Sequence, residues 1–458
     1  MENLTLDQII NAVNGEIVVH GQKSSFNKIS TDTRKIEEGS IFIALKGENF
    51  NGNEFACKAV EKGAALCIVD EIVEKDTEKY GKSSILLVRD TKQALLDLAE
   101  FYKGTLKNIK IVGITGSTGK TSTKDITFSV LQSKFKVFKT SGNFNNEIGL
   151  PLMIFQLDNT YDVAVLEMGM SNLNEIHRMA KVAKPDIAII TNIGISHIEN
   201  LKTRENILKA KLEITDFFDK NNVLIVNSDN DLLSTISSSK YKIVKTSISG
   251  NGEFNAVNLS LKENSSSFNL SINNQVQKTR FNISIPGKHN VENSLLAIAC
   301  GKEMGISYDE MSNGLKKIEM TSMRLDVIKK EKFTIVDDSY NASPDSMKAA
   351  IEVVKNIPGR RKIAVFGTMR ELGEEAFNAH EDVGEYAALN GIDLLITVGE
   401  FNEAYGRGFN SKDTHKEFLT TEEATKYIEN VVSEGDVVLV KASRLMKFEN
   451  IVKRLKEI

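Results

Sequence analysis

The first hundred residues alternate short apolar runs with helical segments. The runs GSIFIAL (39–45) and AALCIVD (64–70) predict short strands, because each is a brief apolar stretch bounded by turn residues. The segments NEFACKAVEKG and TKQALLDLAEFYKG carry apolar residues at helical spacing. We therefore predict a small α/β domain over residues 1–104.

Similar apolar runs, again separated by helical segments, follow this first block. They are IKIVGIT (109–115), DVAVLEM (162–168), DIAIITNIG (186–194) and NVLIVN (222–227). This alternation predicts a parallel sheet with helices on both faces. Residues 249–286 differ, because apolar and polar positions alternate there with period two. We predict that this stretch forms a small antiparallel meander packed beside the main sheet, within a central domain over residues 105–322.

A third block, residues 323–458, repeats the alternation. Its strand-like runs are FTIVDD (333–338), KIAVFG (362–367), DLLITVG (393–399) and DVVLVKAS (436–443). Strands joined by helices predict a C-terminal Rossmann-like α/β domain. The whole chain is thus expected to be α/β with three domains, which suits its length of 458 residues.

Composition and charge narrow the class of protein. Hydrophobic residues make up 41% of the chain and charged residues 26%, which is ordinary for a globular protein. The net charge of −4 gives no general attraction to nucleic acid or to an anionic membrane. The first residues lack the basic flank and apolar core of a signal peptide, and no apolar stretch approaches the length of a membrane span. We expect a cytoplasmic monomer without membrane insertion.

The cysteines add no chemistry to this picture. The chain has three, Cys57, Cys67 and Cys300. An odd and widely spaced set predicts neither a disulfide framework nor a zinc site. We interpret them as small buried side chains in a reducing compartment.

The segment IKIVGITGSTGKTSTK (109–124) carries the strongest chemical signal. A strand leads into a glycine-rich turn and then into a helix, so backbone N–H groups and the positive helix end can bind phosphate oxygens. Lys120 suits the β- and γ-phosphates, and the Thr121 hydroxyl suits Mg²⁺. The usual G-x-x-x-x-G-K-[ST] spacing is not met, because Ile114 stands where its first glycine would be. The predicted phosphate contacts are Gly116, Ser117, Thr118, Gly119, Lys120, Thr121 and Ser122.

Two further strands are predicted to end beside this loop. Glu167 closes one of them and is well placed to hold Mg²⁺, although a strand-end carboxylate can also simply cap the next helix. His197 follows the next strand and is a candidate ligand for a second metal ion; the alternative is a structural histidine. Lys211 lies on a predicted helix where lysine is usually a solvated charge, so spacing alone does not single it out.

A phosphate loop is common to kinases, GTPases, motor ATPases and ligases, so other motifs are needed to identify the reaction. The chain resembles the Mur ligase family throughout its length. The motifs that resemble the central domain of that family are TGSTGKTST, SGNFNNEIGLP (141–151), LEMGMS, TNIGISHIEN, KAKLEI and the adenine-contacting helix PGKHNVENSLLAIA (286–299). The opening of its C-terminal domain is similar to DDSYNASPDSM (337–347), and its UDP-sugar-binding domain to STDTRKIEEGSIFIALKGENFNGNEF (30–55).

The resemblance implies roles that the residue pattern alone did not assign. Lys211 matches a lysine that becomes carbamylated, which would turn a cation into a carboxylate-like ligand for a second Mg²⁺ beside His197. Asn293 matches an adenine contact, and Arg324 matches an arginine that reaches the ATP phosphates. The implied catalytic residues are Lys120, Lys211, His197 and Arg324. The implied metal ligands are Thr121, Glu167, His197 and Lys211.

Other matched positions concern the nucleotide and the two substrates. Groups that complete the nucleotide site when the domains close are matched by Asp338, Tyr340 and Asn341. Residues near the γ-phosphate and the first substrate are matched by Asn145 and Asn146. The UDP site corresponds to Ser30, Asp32 and Arg34, and the region that receives the incoming dipeptide contains Lys441 and Ser443.

The chain departs from the family pattern in three places. Asn51-Gly52-Asn53 replaces Asp-Gly-His, and Lys441-Ala442-Ser443-Arg444 replaces Lys-Gly-Ser-Arg. Thr321-Ser322-Met323 replaces a small or proline-containing run before Arg324. The first two departures touch substrate contacts, and none of the three touches the ATP chemistry.

The resemblance implies a ligase that uses ATP and two Mg²⁺ to convert a carboxylate to an acyl phosphate, which an amine then attacks. The resemblance of motifs late in the chain implies UDP-N-acetylmuramoyl-tripeptide as the acid and D-alanyl-D-alanine as the amine. The alternatives are another Mur-type ligase, a folylpolyglutamate synthase, a P-loop switch or motor, and a nucleotide-binding protein without activity. Because acyl phosphates hydrolyse easily, we expect the third domain to close over the site and to stand open without ligands.

Overall fold

The computed structural model describes residues 1–458 and contains three main sheets. The first is five-stranded, with the order β2-β9-β8-β5-β4. The strands of this N-terminal domain are β1 (Leu4–Thr5), β2 (Glu16–Val19), β3 (Ser25–Phe26), β4 (Ile29–Ser30), β5 (Ile41–Ile43), β6 (Lys46–Gly47), β7 (Phe50–Asn51), β8 (Leu66–Val69) and β9 (Ser84–Leu87). Its helices are α1 (Leu6–Val13), α2 (Ala56–Glu61) and α3 (Thr91–Thr105). The middle strands β5 and β8 are buried along their whole length, because helices cover both faces.

The central domain has a nine-stranded sheet, with the order β11-β12-β10-β13-β14-β15-β16-β17-β18. Its strands are β10 (Lys110–Thr115), β11 (Val137–Lys139), β12 (Val163–Glu167), β13 (Ile187–Ile190), β14 (Val223–Asn227), β15 (Lys242–Ser247), β16 (Phe254–Leu261), β17 (Ser266–Ile272) and β18 (Gln275–Ile283). Its helices are α4 (Lys120–Leu131), α5 (Gly149–Ile154), α6 (Glu175–Ala183), α7 (Ile198–Leu201), α8 (Arg204–Leu212), α9 (Asp231–Ser234), α10 (Lys288–Glu303) and α11 (Tyr308–Leu315).

The antiparallel meander forms, but its predicted position was wrong. Strands β16, β17 and β18 pair antiparallel with one another, as the period-two pattern predicts. They do not pack beside the main sheet, because β16 pairs in parallel with β15, so that Thr246 faces Phe254 and Ser247 faces Asn255. The meander therefore extends the central sheet.

The C-terminal domain has a six-stranded sheet, with the order β19-β20-β24-β21-β22-β23. Only the edge strand β19 pairs antiparallel. The strands are β19 (Asp326–Lys329), β20 (Thr334–Asp337), β21 (Arg361–Gly367), β22 (Leu394–Val398), β23 (His415–Phe418) and β24 (Asp436–Lys441). The helices are α12 (Pro344–Asn356), α13 (Ala376–Leu389), α14 (Asn402–Phe409), α15 (Thr421–Val431) and α16 (Glu449–Glu457). No helix of the chain has the length and apolar character needed to cross a membrane.

The first two domains share one hydrophobic core. A single cluster of buried residues runs from Ile43 and Leu98 in the N-terminal domain to Leu166 and Ile214 in the central domain. Because apolar burial between them is continuous, these two domains are expected to behave as one rigid body.

The C-terminal domain is built differently, because each face of its sheet is covered by a cluster of its own residues. Contact with the central domain is made by Ile195 and Ile198, which are partly buried against one of these clusters. The Glu199 N–H also donates to the Glu371 carbonyl oxygen at 3.2 Å. The C-terminal domain thus rests against the central domain without sharing its core.

His380 is a fully buried histidine in the C-terminal core. Its Nε2 accepts a hydrogen bond from the Met369 N–H (2.8 Å), and its Nδ1 lies 2.6 Å from the Ala376 carbonyl oxygen. The ring must therefore be neutral, with its proton on Nδ1. Burial lowers the pKa of His380 from 6.5 to about 4, although the Ala376 carbonyl opposes the shift.

Acidification should destabilise the C-terminal domain through His380. Its folded-state pKa lies below the unfolded value, so its contribution is complete above about pH 6.5 and is lost as the pH falls toward about 4, by about 3 kcal/mol. The His380→Leu variant should be less stable at pH 7.5, but its unfolding free energy should depend less on pH in that window. Urea unfolding at a series of pH values measures both. The exposed His20 provides the control His20→Leu, which should keep the wild-type slope; equal slopes in all three proteins would contradict the prediction.

Candidate active site

The site lies where three neighbouring parallel strands end. Strand β10 pairs with β12 on one side and with β13 on the other. Their carboxyl ends therefore meet at one edge of the sheet, where open α/β sheets bind ligands. A cavity of about 850 Å³ opens there, between the central and C-terminal domains, and polar side chains make up most of its lining.

The loop after β10 has the backbone that a phosphate site requires. Gly116 has φ +151° and Gly119 has φ +77°, values that residues with a Cβ rarely adopt. A Cβ at Gly116 would overlap the Thr191 hydroxyl, and one at Gly119 would lie 3.1 Å from Asn293 Oδ1. Gly119 also precedes the first residue of α4, so the positive end of that helix faces the cavity.

Residues after β13 hold this loop, and the sequence reasoning missed them. Asn192 Oδ1 accepts from the Thr118 N–H (2.9 Å), and Asn192 Nδ2 donates to Thr118 Oγ1 (2.6 Å). The Thr191 hydroxyl donates to the Thr118 carbonyl oxygen (2.5 Å). The sequence signal for these residues was a Thr-Asn pair directly after a buried strand, because that strand had to end beside the loop.

Lys120 and Arg324 supply positive charge to the cavity. The Lys120 ammonium lies over the loop and donates to the Gly116 carbonyl oxygen (2.8 Å). Arg324 Nη2 donates to Thr121 Oγ1 (3.2 Å), and its guanidinium carbon lies 4.2 Å from the centre of the Tyr340 ring. Arg324 Nε is buried and has no hydrogen-bond partner. A buried N–H left without an acceptor is costly, so this guanidinium is suited to an anionic ligand.

Glu167 is a buried carboxylate with neutral partners. Its Oε2 accepts from the Thr121 hydroxyl (3.0 Å), and its Oε1 accepts from Asn145 Nδ2 (2.8 Å). No lysine, arginine or histidine lies within ion-pair distance of it. The structure thus brings the predicted pair Thr121 and Glu167 together, with one negative charge left to bind a cation.

His197 lines the same cavity from a strained backbone position. Its φ is +66°, which is uncommon for any residue other than glycine and is typical of functional sites. Its Nδ1 lies 2.6 Å from Glu371 Oε2 of the C-terminal domain. Glu371 was not predicted, and it is the residue through which the C-terminal domain reaches this histidine.

Lys211 is buried beneath the site rather than solvated. Only 1% of its surface is exposed, and its Nζ takes part in no hydrogen bond or ion pair. Burial, together with the Lys120 ammonium, lowers the pKa of the Lys211 amine well below its usual value. The helix pattern alone did not distinguish this lysine from a solvated one, whereas the structure shows that it is buried. The lowered pKa favours the uncharged form of the amine, which is the nucleophilic form.

The C-terminal domain contributes a buried ion pair. Lys441 pairs with Asp338 and donates to the Asn341 carbonyl oxygen (2.9 Å). Burial raises the pKa of Asp338 and lowers that of Lys441, while the attraction between the two groups opposes both shifts. The neighbouring Ser443 hydroxyl oxygen accepts from the Arg370 N–H (3.0 Å). These residues all line the cavity.

The loop after β11 fixes the two asparagines that the resemblance implies. Asn145 is held by Glu167, as described above, and its carbonyl oxygen accepts from the Gly169 N–H (2.7 Å). Asn146 Oδ1 accepts from the Gly149 N–H (2.8 Å), which caps the start of α5. Glu147 lies between the cavity and the N-terminal domain, and Lys92 and Arg178 neutralise its charge. This residue was not predicted.

The predicted UDP residues form a separate group in the N-terminal domain. Arg34 holds the Asp32 carboxylate with three side-chain hydrogen bonds (2.9, 3.2 and 2.8 Å), which lower the pKa of Asp32 to about 2. Ser30 Oγ accepts from the Asp32 N–H (3.1 Å). None of the three lines the cavity, so their role in binding UDP stays a prediction.

Comparison with known proteins agrees with this geometry. The Mur ligase family catalytic domain matches residues 25–103, the Mur ligase middle domain residues 114–301, and the Mur ligase glutamate ligase domain residues 323–444. The UDP-N-acetylmuramoyl-tripeptide–D-alanyl-D-alanine ligase of Bacillus subtilis is 38% identical over 96% of this chain and 94% of its own. The Escherichia coli enzyme of the same name is 33% identical over 100% and 99%.

The chain belongs to the Mur ligase family. Among solved Mur ligase structures, MurF from Acinetobacter baumannii superposes with a TM-score of 0.92, at 30% identity and over the full length of both chains. MurF from Thermotoga maritima, in complex with ADP, gives a TM-score of 0.84 at 28% identity, over 94% of this chain and 97% of that one. A Mycobacterium tuberculosis folylpolyglutamate synthase, also with ADP, shares the fold at 14% identity, with a TM-score of 0.62 over 79% of this chain and 93% of that one.

The Gly116→Ala substitution should abolish nucleotide binding by this Mur ligase. The added Cβ would overlap the Thr191 hydroxyl and push the loop away from the position that binds phosphate. Titration calorimetry with a non-hydrolysable ATP analogue should show at least a hundredfold loss of affinity, the scale expected when several phosphate contacts are lost.

Gly104→Ala is the matched control, because a Cβ at Gly104 meets nothing within 4 Å. That variant should bind the analogue as the wild type does. Wild-type affinity in Gly116→Ala would show that the loop does not bind the phosphates.

Proposed function

We propose that this chain is the ATP-dependent ligase that joins D-alanyl-D-alanine to UDP-N-acetylmuramoyl-tripeptide. The observation that carries the chemistry is the single cavity that contains a phosphate loop, the partnerless Arg324 Nε and the uncompensated Glu167 carboxylate. The choice of substrates rests on relatives of that name that match this chain along its whole length. We propose that the reaction takes place in the cytoplasm.

The reaction needs charge neutralisation more than covalent help from the protein. A carboxylate oxygen of the tripeptide attacks the γ-phosphorus of ATP in line, the bond to the ADP oxygen breaks, and an acyl phosphate forms. Lys120 and Arg324 stabilise the charge that spreads over the transferred phosphoryl group. The free amine of the dipeptide then attacks the acyl carbon, and phosphate leaves.

We propose that Mg²⁺ binds at two positions. The Thr121 hydroxyl and the Glu167 carboxylate would hold one ion, and His197 with modified Lys211 the other. Nowhere does the chain gather three His, Cys, Asp or Glu side chains in a group that could hold a metal ion. That fits Mg²⁺, which uses one or two protein oxygens and takes its remaining ligands from phosphates and water. When bound, the ions would neutralise phosphate charge.

The buried Lys211 amine supports a carbamate at this position. Its lowered pKa leaves the nitrogen lone pair free to attack the carbon of CO₂. An N–C bond forms, one proton leaves the nitrogen, and the product carries a negative charge where the uncharged amine stood. A carbamate would complement Lys120, whereas an ammonium at Lys211 would repel it.

The two substrates would approach from different domains. We propose that the N-terminal domain binds the UDP part through Ser30, Asp32 and Arg34. The amine would lie against the C-terminal domain near Ser443, where Lys441 and Asp338 already neutralise each other. The cavity between the domains then excludes water from the acyl phosphate.

Phosphate release from ATP should require both proposed substrates. With UDP-N-acetylmuramoyl-tripeptide and D-alanyl-D-alanine together, the protein should release one phosphate per amide bond formed, because the acyl phosphate is consumed by the amine. A coupled phosphate assay with mass spectrometry of the product measures this. Omitting either substrate is the control, and turnover with glutamate and a folate, or without any acceptor, would overturn the assignment.

Lys211→Ala should lower ligase activity by at least a thousandfold, because the negative ligand opposite His197 is lost. Added acetate or propionate should restore part of it by occupying the space of the carbamate. Lys209→Ala removes a neighbouring lysine of α8 that is not buried, and this control should keep its activity. Normal turnover by Lys211→Ala would exclude the carbamate.

A further inference from the structure

Asp125 is a buried charge on the helix that follows the phosphate loop. It lies on α4 and is 0% exposed. Its Oδ1 accepts from Lys139 Nζ (2.7 Å), so one oxygen is used inside the central domain. Its Oδ2 accepts from both the backbone N–H (2.9 Å) and the hydroxyl (2.7 Å) of Thr321. One of the two carboxylate oxygens therefore accepts hydrogen bonds from a residue that is far away in the sequence.

Thr321 lies in the middle of the segment that joins the central domain to the C-terminal domain. This segment runs between α11 and β19. Shortly after Thr321, Met323 has φ +62° and Leu325 has φ +55°, which is the left-handed region that residues with a Cβ rarely adopt. Two such residues so close together mark a place where the backbone is held under strain by its surroundings.

The far end of the segment is tied to the C-terminal domain. The Met323 N–H donates to Asp326 Oδ2 (2.8 Å), and the Leu325 N–H donates to Asp338 Oδ1 (3.2 Å). Arg324 lies between these two strained residues, and its side chain crosses back to Thr121 at the phosphate site. The position of Arg324 thus depends on where both ends of the segment are fixed.

A purely structural role for Asp125 would be to neutralise the cations around it. Lys139 and the buried Lys124, whose Nζ lies 3.5 Å away, already meet that need through Oδ1. Neither lysine accounts for the two hydrogen bonds on Oδ2. Those bonds fix a backbone N–H and a hydroxyl in one geometry, which an ion pair alone does not require.

We propose that Asp125 is a positioning residue that anchors the interdomain segment to the phosphate-loop helix through Thr321, and so sets the place of Arg324. This proposal deepens the proposed ligase function and rests on it. Helix α4 starts at the phosphate loop and also holds Thr321 through Asp125. A nucleotide bound to that loop is therefore connected, through one rigid helix, to the segment on which closure of the C-terminal domain depends.

Thr321→Val tests the anchor, because valine has the same shape but no hydroxyl. Loss of one hydrogen bond to a buried carboxylate should lower kcat by about tenfold, while KM for ATP changes less than twofold, since the loop itself is intact. Thr321→Ser restores the hydroxyl and should restore kcat. Small-angle scattering should show less nucleotide-induced compaction in Thr321→Val than in the wild type.

Lys139→Met is the matched control for a structural effect. It removes a cation from Asp125 but leaves Thr321 untouched, so it should lower the melting temperature without lowering kcat. Wild-type kcat and compaction in Thr321→Val, failure of Thr321→Ser to restore kcat, or an equal loss of kcat in Lys139→Met would each overturn the proposal. A wild type without ligase activity would refute the proposed function instead, and the scattering comparison would still decide the anchor.

Discussion

The parallel pairing of β10 with β12 and β13 is the constraint on which the rest of this structure depends. It brings the ends of three strands to one edge of the sheet, and each end carries a group with a task there. The glycine-rich loop follows β10, Glu167 ends β12, and Thr191 and Asn192 follow β13. A one-residue change in either register would turn these side chains away from one another, since neighbouring residues of a strand point to opposite faces.

Charge explains why the site is made of pieces from two domains. Lys120 of the central domain and Arg324 of the C-terminal domain both line the cavity, and neither forms an ion pair. Carboxylates line it as well, among them Glu167, whose hydrogen-bond partners are neutral. Buried charges without a partner of opposite sign are costly until ligands arrive, and ATP together with a metal ion would supply both signs. By contrast, Lys441 and Asp338 already neutralise each other.

Much of this could be predicted from sequence, for a physical reason. Buried strands such as β10, β12 and β13 are short apolar runs, and the residues that follow them must lie at the same sheet edge. For this reason the sequence alone predicts that Glu167 and His197 lie beside the phosphate loop. The parallel attachment of β16 to β15 was not predictable, because period-two alternation shows which face is buried but not which edge a meander joins.

Contacts between segments far apart in the chain could also not be predicted from the sequence. Nothing in the neighbourhood of Asp125 indicates Thr321, and nothing near His197 indicates Glu371, because each contact joins segments that are far apart in the sequence. Lys211 shows the limit most clearly, since a lysine on a polar helix has the same pattern whether it is solvated or buried. Its burial depends on how α8 packs, and the helix pattern does not contain that information.

The shared core of the first two domains divides the protein into two packed units instead of three. The N-terminal domain and the loop after β10 belong to one unit, so the distance between them is set when that unit folds. The C-terminal domain is the other unit and has a core of its own. Under the proposed function, the acid and the nucleotide would meet at a distance fixed by folding, whereas the amine would be positioned by the segment that joins the two units.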